Sequence, residues 1–156
     1  MLEGTKNMKT IRKIFIIYVI VLTIVLLFKS GLSIYSIMDR ISSVKTNREM
    51  GIWNFNLIPL KTIVQQVQHG RELWAVENII GNIIIFVPFG ILFPLAFQTR
   101  FEKTISIGIL YILIIETIQF ITMLGIFDVD DMILNTTGIC CGYLILKIIK
   151  QLPHHL

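Results

Sequence analysis

Glu116-Thr-Ile-Gln119, then Phe127-Asp-Val-Asp-Asp131-Met-Ile-Leu-Asn135-Thr-Thr-Gly138 and on to Gly142, is a stretch in which carboxylates and amides interrupt otherwise lipid-like sequence. A carboxylate placed in a bilayer costs roughly 2.5–3.5 kcal/mol at mid-depth, so an intramembrane Glu marks a candidate functional site. The apolar run that ends near Leu124, the acidic turn Gly125 to Asp131 and the apolar run that opens at Met132 read as two membrane spans joined by a short connection. Three acids and no base stand in that turn.

Outside this stretch the chain has the composition of a membrane protein. Of its 156 residues 54% are hydrophobic and 15% charged, and the mean hydropathy is +0.77. This profile excludes an ordinary soluble domain and leaves no room for a second sizeable domain beside several spans. A net charge of +4 could suggest nucleic acid. The bases instead fall in short clusters beside apolar runs, as they do where they set membrane orientation, and nucleic-acid binding is rejected.

Spans are predicted at about 11–28, 78–97, 104–124 and 132–149, giving an all-α integral membrane protein, a single domain over 1–156 built as a four-transmembrane-helix bundle. The first run lacks a small-residue cleavage site in Lys29-Ser30-Gly31-Leu32 and is read as an anchor span rather than a signal peptide, with Met8 an equally natural start. Lys6, Lys9, Arg12 and Lys13 precede span one, Arg100 and Lys103 lie between spans two and three, and Lys147 and Lys150 follow span four with His154 and His155 behind them. Positive residues mark the cytoplasmic side, so both termini are expected inside, and the Lys29 to Glu77 loop and the acidic turn outside. That loop holds two amphipathic segments, Ile34–Val44 and Leu60–Val67, flanked on the second by Trp53 and Trp74, and is expected to lie partly on the membrane.

This topology gathers the polar residues. Asn78 and Asn82 open span two, Glu116 and Gln119 face the same way in the outer half of span three, and Asp128, Asp130, Asp131 and Asn135 begin span four. Independent placement would scatter them over both leaflets, so a shared polar cavity facing the outer leaflet is expected. Plainer roles compete for some of them. Asp130 or Asp131 can cap span four, worth about 0.3–1 kcal/mol. Glu116 can be interhelical glue, hydrogen-bonded to Gln119 or Asn82 at roughly 0.6 kcal/mol per contact. Pro88-Phe-Gly90 favours a kink in span two. Gly138-Ile-Cys-Cys-Gly142 is a small-xxx-small face that can pack within the chain or between copies in a homo-oligomer. Cys140 and Cys141 point apart on a helix, and neither a disulfide nor a metal is expected there.

The blocks Asn56-Leu-Ile-Pro59, Asn78-Ile-Ile-Gly-Asn82, Phe86-Val-Pro88-Phe-Gly90, Glu116-Thr-Ile-Gln119 and Phe127-Asp-Val-Asp-Asp131 with Asn135-Thr-Thr-Gly138, in this order, resemble the VanZ-like family. The resemblance covers residues 54 to 143. It implies a bacterial multi-spanning membrane protein and an association with resistance to the glycopeptide teicoplanin. Many members carry an Arg shortly before the Phe-Asp element; here nothing basic stands between Gln119 and Asp128, which weighs against a mechanism needing an internal ion pair.

The leading expectation is a binding protein of the cell envelope, touching membrane lipids and a lipid-linked cell-wall precursor through Asn78, Asn82, Glu116, Gln119, Asp128, Asp131 and Asn135, with no cofactor. One alternative is an intramembrane hydrolase or transferase with Glu116 as general acid/base and Asp128, Asp130 and Asp131 on a hard cation. Against it, the sequence offers no His near these acids, no basic phosphate clamp and no nucleophile. A second is a structural partner of another complex, docked through the Gly138/Gly142 face.

Overall fold

A computed structural model describes residues 2–29, 31–69 and 73–151, without the side chains of residues 2–6 and Trp74. The expectations for the Trp74 ring and for His154 and His155 fall outside the described residues. The element order is α1 (Leu2–Leu27), α2 (Ile34–Glu49), β1 (Phe55–Asn56), α3 (Lys61–Gln68), α4 (Leu73–Phe97), α5 (Phe101–Thr122), β2 (Phe127–Asp128) and α6 (Val129–Gln151).

Four of these helices are long and apolar enough to cross a membrane: Asn7–Leu27, Ala75–Phe97, Phe101–Thr122 and Val129–Gln151. The protein is an all-α multi-pass membrane protein. The span ends differ from the sequence reading where a charge stopped a hydropathic run without stopping the helix. Glu77 lies inside α4, exposed on its early turns. At the other end of span three, Met123 takes a left-handed conformation, φ 61°, and closes α5 at Thr122.

The bundle is held first by α4 against α6, with α1 on the other side of α4. The close approach of α4 and α6 is made at Gly138 and Gly142. A Cβ on Gly138 would strike the Ile83 carbonyl, and one on Gly142 the Val87 carbonyl and the Gly90 Cα. In hydrocarbon, where apolar side chains gain nothing by leaving lipid, such backbone contact is what draws helices together. The Gly138/Gly142 face is therefore occupied inside the chain, which removes the docking face that a structural-partner role would have used. The helix α4 runs unbroken through Pro88 and Pro94, so the predicted loosening at Pro88 does not interrupt it.

On the α1 side the core is aromatic. Phe15 meets Phe89, Phe93 and Phe97 edge-on at centroid distances of 5.4, 5.4 and 5.7 Å, and Phe86, Phe89 and Ile112 complete the buried layer. Polar ties fix the pairing: Tyr18 Oη donates to the Ile85 carbonyl at 2.6 Å and Arg12 Nε to the Ala96 carbonyl at 2.9 Å. The outward faces of α1, α5 and α6, with Ile17, Leu110 and Ile148 among them, remain exposed and apolar, as a lipid-facing surface requires.

The 29–77 loop is structured. Its amphipathic segments are α2 and α3, and between them β1 pairs in parallel with β2, Phe55 opposite Phe127 and Asn56 opposite Asp128. Asn54 locks this junction. Its Nδ2 donates to the Gly125 carbonyl at 2.8 Å, its carbonyl accepts from Phe127 N at 3.1 Å, and its Oδ1 is held by Arg48. Arg48 also donates to the Phe120 carbonyl at 2.7 Å and stacks over the Trp53 and Phe120 rings. Ile34, Tyr35 and Met38 of α2 and Val64 and Val67 of α3 present exposed apolar surface.

Candidate functional site

At the end of the bundle where α1 and α5 finish and α4 and α6 begin, polar side chains from each of the helices α1 to α6 or its flank and from β2 line a cavity of about 350 Å³. Lys29 comes from the end of α1, Arg40 from α2, Thr62 and Gln66 from α3, Asn78 from α4, Gln119 from α5, and Asp128 and Asp131 from β2 and α6. A larger cleft of about 590 Å³ at the opposite end is lined by Met8, Pro94, Tyr143 and the stems of Lys147 and Lys150, without a carboxylate.

Each acid has a distinct task, set by the parallel strand pair that brings Asn56 and α3 over the start of α6. Asp128 precedes the first residue of α6 and caps it, its Oδ1 accepting from Asp130 N at 2.9 Å. The same carboxylate accepts from Asn56 Nδ2 at 3.0 Å and from Thr62 Oγ1 at 2.7 Å. Asp130, fully buried at 0% exposure, does not cap its own helix. It caps α3: Oδ1 accepts from Leu60 N at 2.5 Å, and Oδ2 from Thr62 N at 2.7 Å and Ile63 N at 3.0 Å. The expectation that Asp130 or Asp131 caps span four is thus corrected. The cap is Asp128, and Asp130 serves a helix 70 residues earlier. Through these bonds Leu60 is held in a left-handed conformation at φ 66°, which a branched side chain otherwise avoids.

Asp131 faces the cavity. Asn82 Nδ2 donates to its Oδ1 at 2.8 Å, and Lys29 Nζ stands 3.9 Å from its Oδ2. Lys29 also donates to the Asn78 Oδ1 at 2.5 Å and reaches the Asn82 Oδ1 at 3.5 Å. Asp131 thus has a basic neighbour, at a long 3.9 Å and with the lysine half exposed. That base comes from the end of span one rather than from the stretch before Phe127. Glu116 lies behind the cavity at 4% exposure. Its Oε2 accepts from Asp128 N at 3.1 Å, not from Gln119 or Asn82. Gln119 instead donates to the Leu26 carbonyl at 2.9 Å, satisfying one of the orphan carbonyls at the end of α1 and fixing Lys29 beyond it.

The predicted residues Asn78, Gln119, Asp128 and Asp131 thus line one cavity, with Asn82 bonded into it and Glu116 supporting its floor. Asn135 is buried one turn beyond Asp131 with its Oδ1 lacking a partner, and does not line the cavity. For a metal the arrangement is poor: Asp128 and Asp130 are committed to hydrogen-bond donors, and among the described residues no three His, Cys, Asp or Glu converge. Lys29, Arg40, Thr62 and Gln66 escaped the sequence reading, and Lys29 and Arg40 give the pocket the basic side judged missing. Arg40, Thr62 and Gln66 lie in the two amphipathic segments read as lying partly on the membrane, and Lys29 stands just after the first apolar run; nothing in the sequence marked any of them as pocket residues.

No solved structure matches the chain. Protein VanZ of Enterococcus faecium is 38% identical over 73 residues, a stretch covering 46% of this chain and 44% of that protein. The chain thus spans less than half the length of this curated relative. Residues 15–150 match the VanZ/LLP1 family, a match that takes in most of the first span, the loop, the other three spans and every residue of the cavity, and the chain belongs to that family.

Proposed function

We propose that this protein is a binding protein of the bacterial cell membrane, both termini cytoplasmic, whose polar pocket opens on the outer leaflet and engages a lipid-linked or cell-wall component, lowering sensitivity to glycopeptides such as teicoplanin. One observation carries the reading: Lys29, Asn78, Gln119, Asp128 and Asp131, from four different spans and their connections, line one cavity at one end of an otherwise apolar bundle. Hydrocarbon penalises each such group, and packing alone does not require them to share an end. The orientation is supported by the bases before α1, between α4 and α5 and late in α6, set against an α5–α6 connection without any. The link to glycopeptides comes from the family and from the likeness to Protein VanZ.

The binding reading is favoured over metal-assisted catalysis because two of the three acids that would hold a cation, Asp128 and Asp130, are taken up by structural donors. Asp130 accepts three backbone N–H groups and Asp128 accepts two side-chain donors and one backbone N–H. The test is teicoplanin sensitivity in the native host. Deletion of the protein, or joint replacement Glu116→Gln, Asp131→Asn and Asn135→Ala at wild-type abundance, should raise sensitivity. Unchanged sensitivity in both strains sinks the reading.

A further inference from the structure

Two side chains on the pocket wall have polar needs that the protein leaves unmet. Arg40 Nε and Gln66 Oε1 are buried without a hydrogen-bond partner, and both residues line the cavity. Gln66 is 96% buried, being 4% exposed. Buried donors and acceptors are ordinarily paired because an unpaired one loses its hydration for nothing, so two unmet groups on residues that line one cavity call for a ligand that completes both.

The neighbouring acids do not complete them. Asp128 accepts from Asn56, Thr62 and Asp130. Asp131 accepts from Asn82 and faces Lys29. What the cavity offers a ligand is therefore a guanidinium donor with an ammonium in the same cavity, and an amide oxygen as acceptor. An anion suits the first pair, and the planar guanidinium fork is matched to phosphate oxygens. A hydroxyl or amine suits the second.

Size and surroundings select the source of the phosphate. About 350 Å³ admits a polar headgroup rather than a whole lipid. The helix that turns Gln66 inward also exposes Val64 and Val67, an apolar surface on the same element. Free phosphate has no use for that surface, whereas acyl chains do. We infer that the pocket binds the phosphate-ester headgroup of a membrane lipid, Arg40 holding the phosphate, Lys29, already bonded to Asn78, adding positive charge to the same cavity, and Gln66 accepting from a hydroxyl or amine of the headgroup. This rests on the pocket being the ligand site proposed above, and narrows its ligand to one chemical class.

The test titrates the full-length protein, purified in a neutral detergent, with dioctanoyl phosphatidylglycerol, dioctanoyl phosphatidylcholine and inorganic phosphate. Phosphatidylglycerol, which carries both phosphate and hydroxyl donors, should bind tightest. Arg40→Gln should weaken it by about tenfold or more, the cost of one charge-assisted contact. Gln66→Leu should bring phosphatidylglycerol down to the level of phosphatidylcholine and leave phosphatidylcholine unchanged, while Lys61→Gln, on the exposed side of α3, should change neither. If Arg40→Gln does not fold, Arg40→Lys carries the test, keeping the charge and losing the fork, with a smaller loss expected.

Absence of phosphatidylglycerol binding, or binding indifferent to both Arg40 variants, overturns the inference. Inorganic phosphate binding as tightly as the lipid overturns its assignment to a lipid. Phosphatidylglycerol binding lost in Arg40→Gln, with teicoplanin sensitivity unaffected by deletion, upholds the lipid site and sinks the glycopeptide reading. A sensitivity effect without lipid binding does the reverse.

Discussion

Asp130→Asn exchanges one carboxylate oxygen for an amide nitrogen at a position where three backbone N–H groups converge. The cheapest orientation turns the nitrogen toward Leu60, which then faces a donor, and leaves the remaining oxygen to Thr62 and Ile63. One charge-assisted bond is lost, about 1.5–3 kcal/mol, and two become neutral, about 1 kcal/mol each, for a total of about 3–5 kcal/mol. Leu60 then has no reason to stay left-handed, and leaving that conformation recovers about 1–2 kcal/mol. The net bias of about 1–4 kcal/mol acts on α3 rather than on the bundle, because the spans keep their own contacts. Limited trypsin digestion in detergent reads this directly, since Lys61 is exposed at the first position of α3. Cleavage after Lys61, identified by mass spectrometry, should rise by roughly 5- to 900-fold if it follows the open population. The thermal midpoint should fall less than such a loss would produce in the core. Cleavage within about threefold of the parent would refute the assignment of Asp130 as the clamp of α3.

Other consequences are tested more simply. Gly138→Ala places a Cβ against the Ile83 carbonyl and should cost about 1–3 kcal/mol in detergent unfolding. By contrast Gly81→Ala, with open space around it, should be neutral or stabilise by up to about 1 kcal/mol. Gln119→Leu removes the Leu26 carbonyl's partner and should destabilise by about 0.5–1.5 kcal/mol, read in the same unfolding assay. Lys29→Gln and Asp131→Asn, taken singly and together, should show a coupling of no more than about 1 kcal/mol, because Lys29 is half exposed. A much larger coupling would mean that the pair is shielded from water when the protein sits in lipid.

The spans were readable because roughly 20 apolar residues in a row have few alternatives, and the end of the bundle that collects polar groups followed from counting bases on the flanks. The choice of partner for each group was not readable. Asp130 or Asp131 reads as a cap of the nearest helix start because capping is local in most sequences, yet the donors to Asp130 lie 67 to 70 residues away. Glu116 and Gln119 share a helical face, but one reaches Asp128 N and the other Leu26. Lys29 and Arg40 sat in a polar loop where a solvated base and a pocket base look alike. Gly138 and Gly142 announced close packing, and only the neighbouring Ile83 and Val87 carbonyls reveal that the partner is α4 of the same chain.

The parallel pairing of Phe55 with Phe127 and Asn56 with Asp128 also orders events during synthesis. Ribosomes deliver the chain from its N-terminus, so Asn54, Asn56 and Leu60 emerge long before Gly125, Asp128 and Asp130, their partners some 70 residues later. Until those residues appear, Leu60 has no carboxylate to hold its left-handed backbone. Arg48 likewise has no Phe120 carbonyl to hold it. The loop must wait, undocked, while α4 and α5 are inserted. It closes only when the last span begins, so a nascent chain stalled before α6 has its earlier helices in the membrane and lacks the polar cavity.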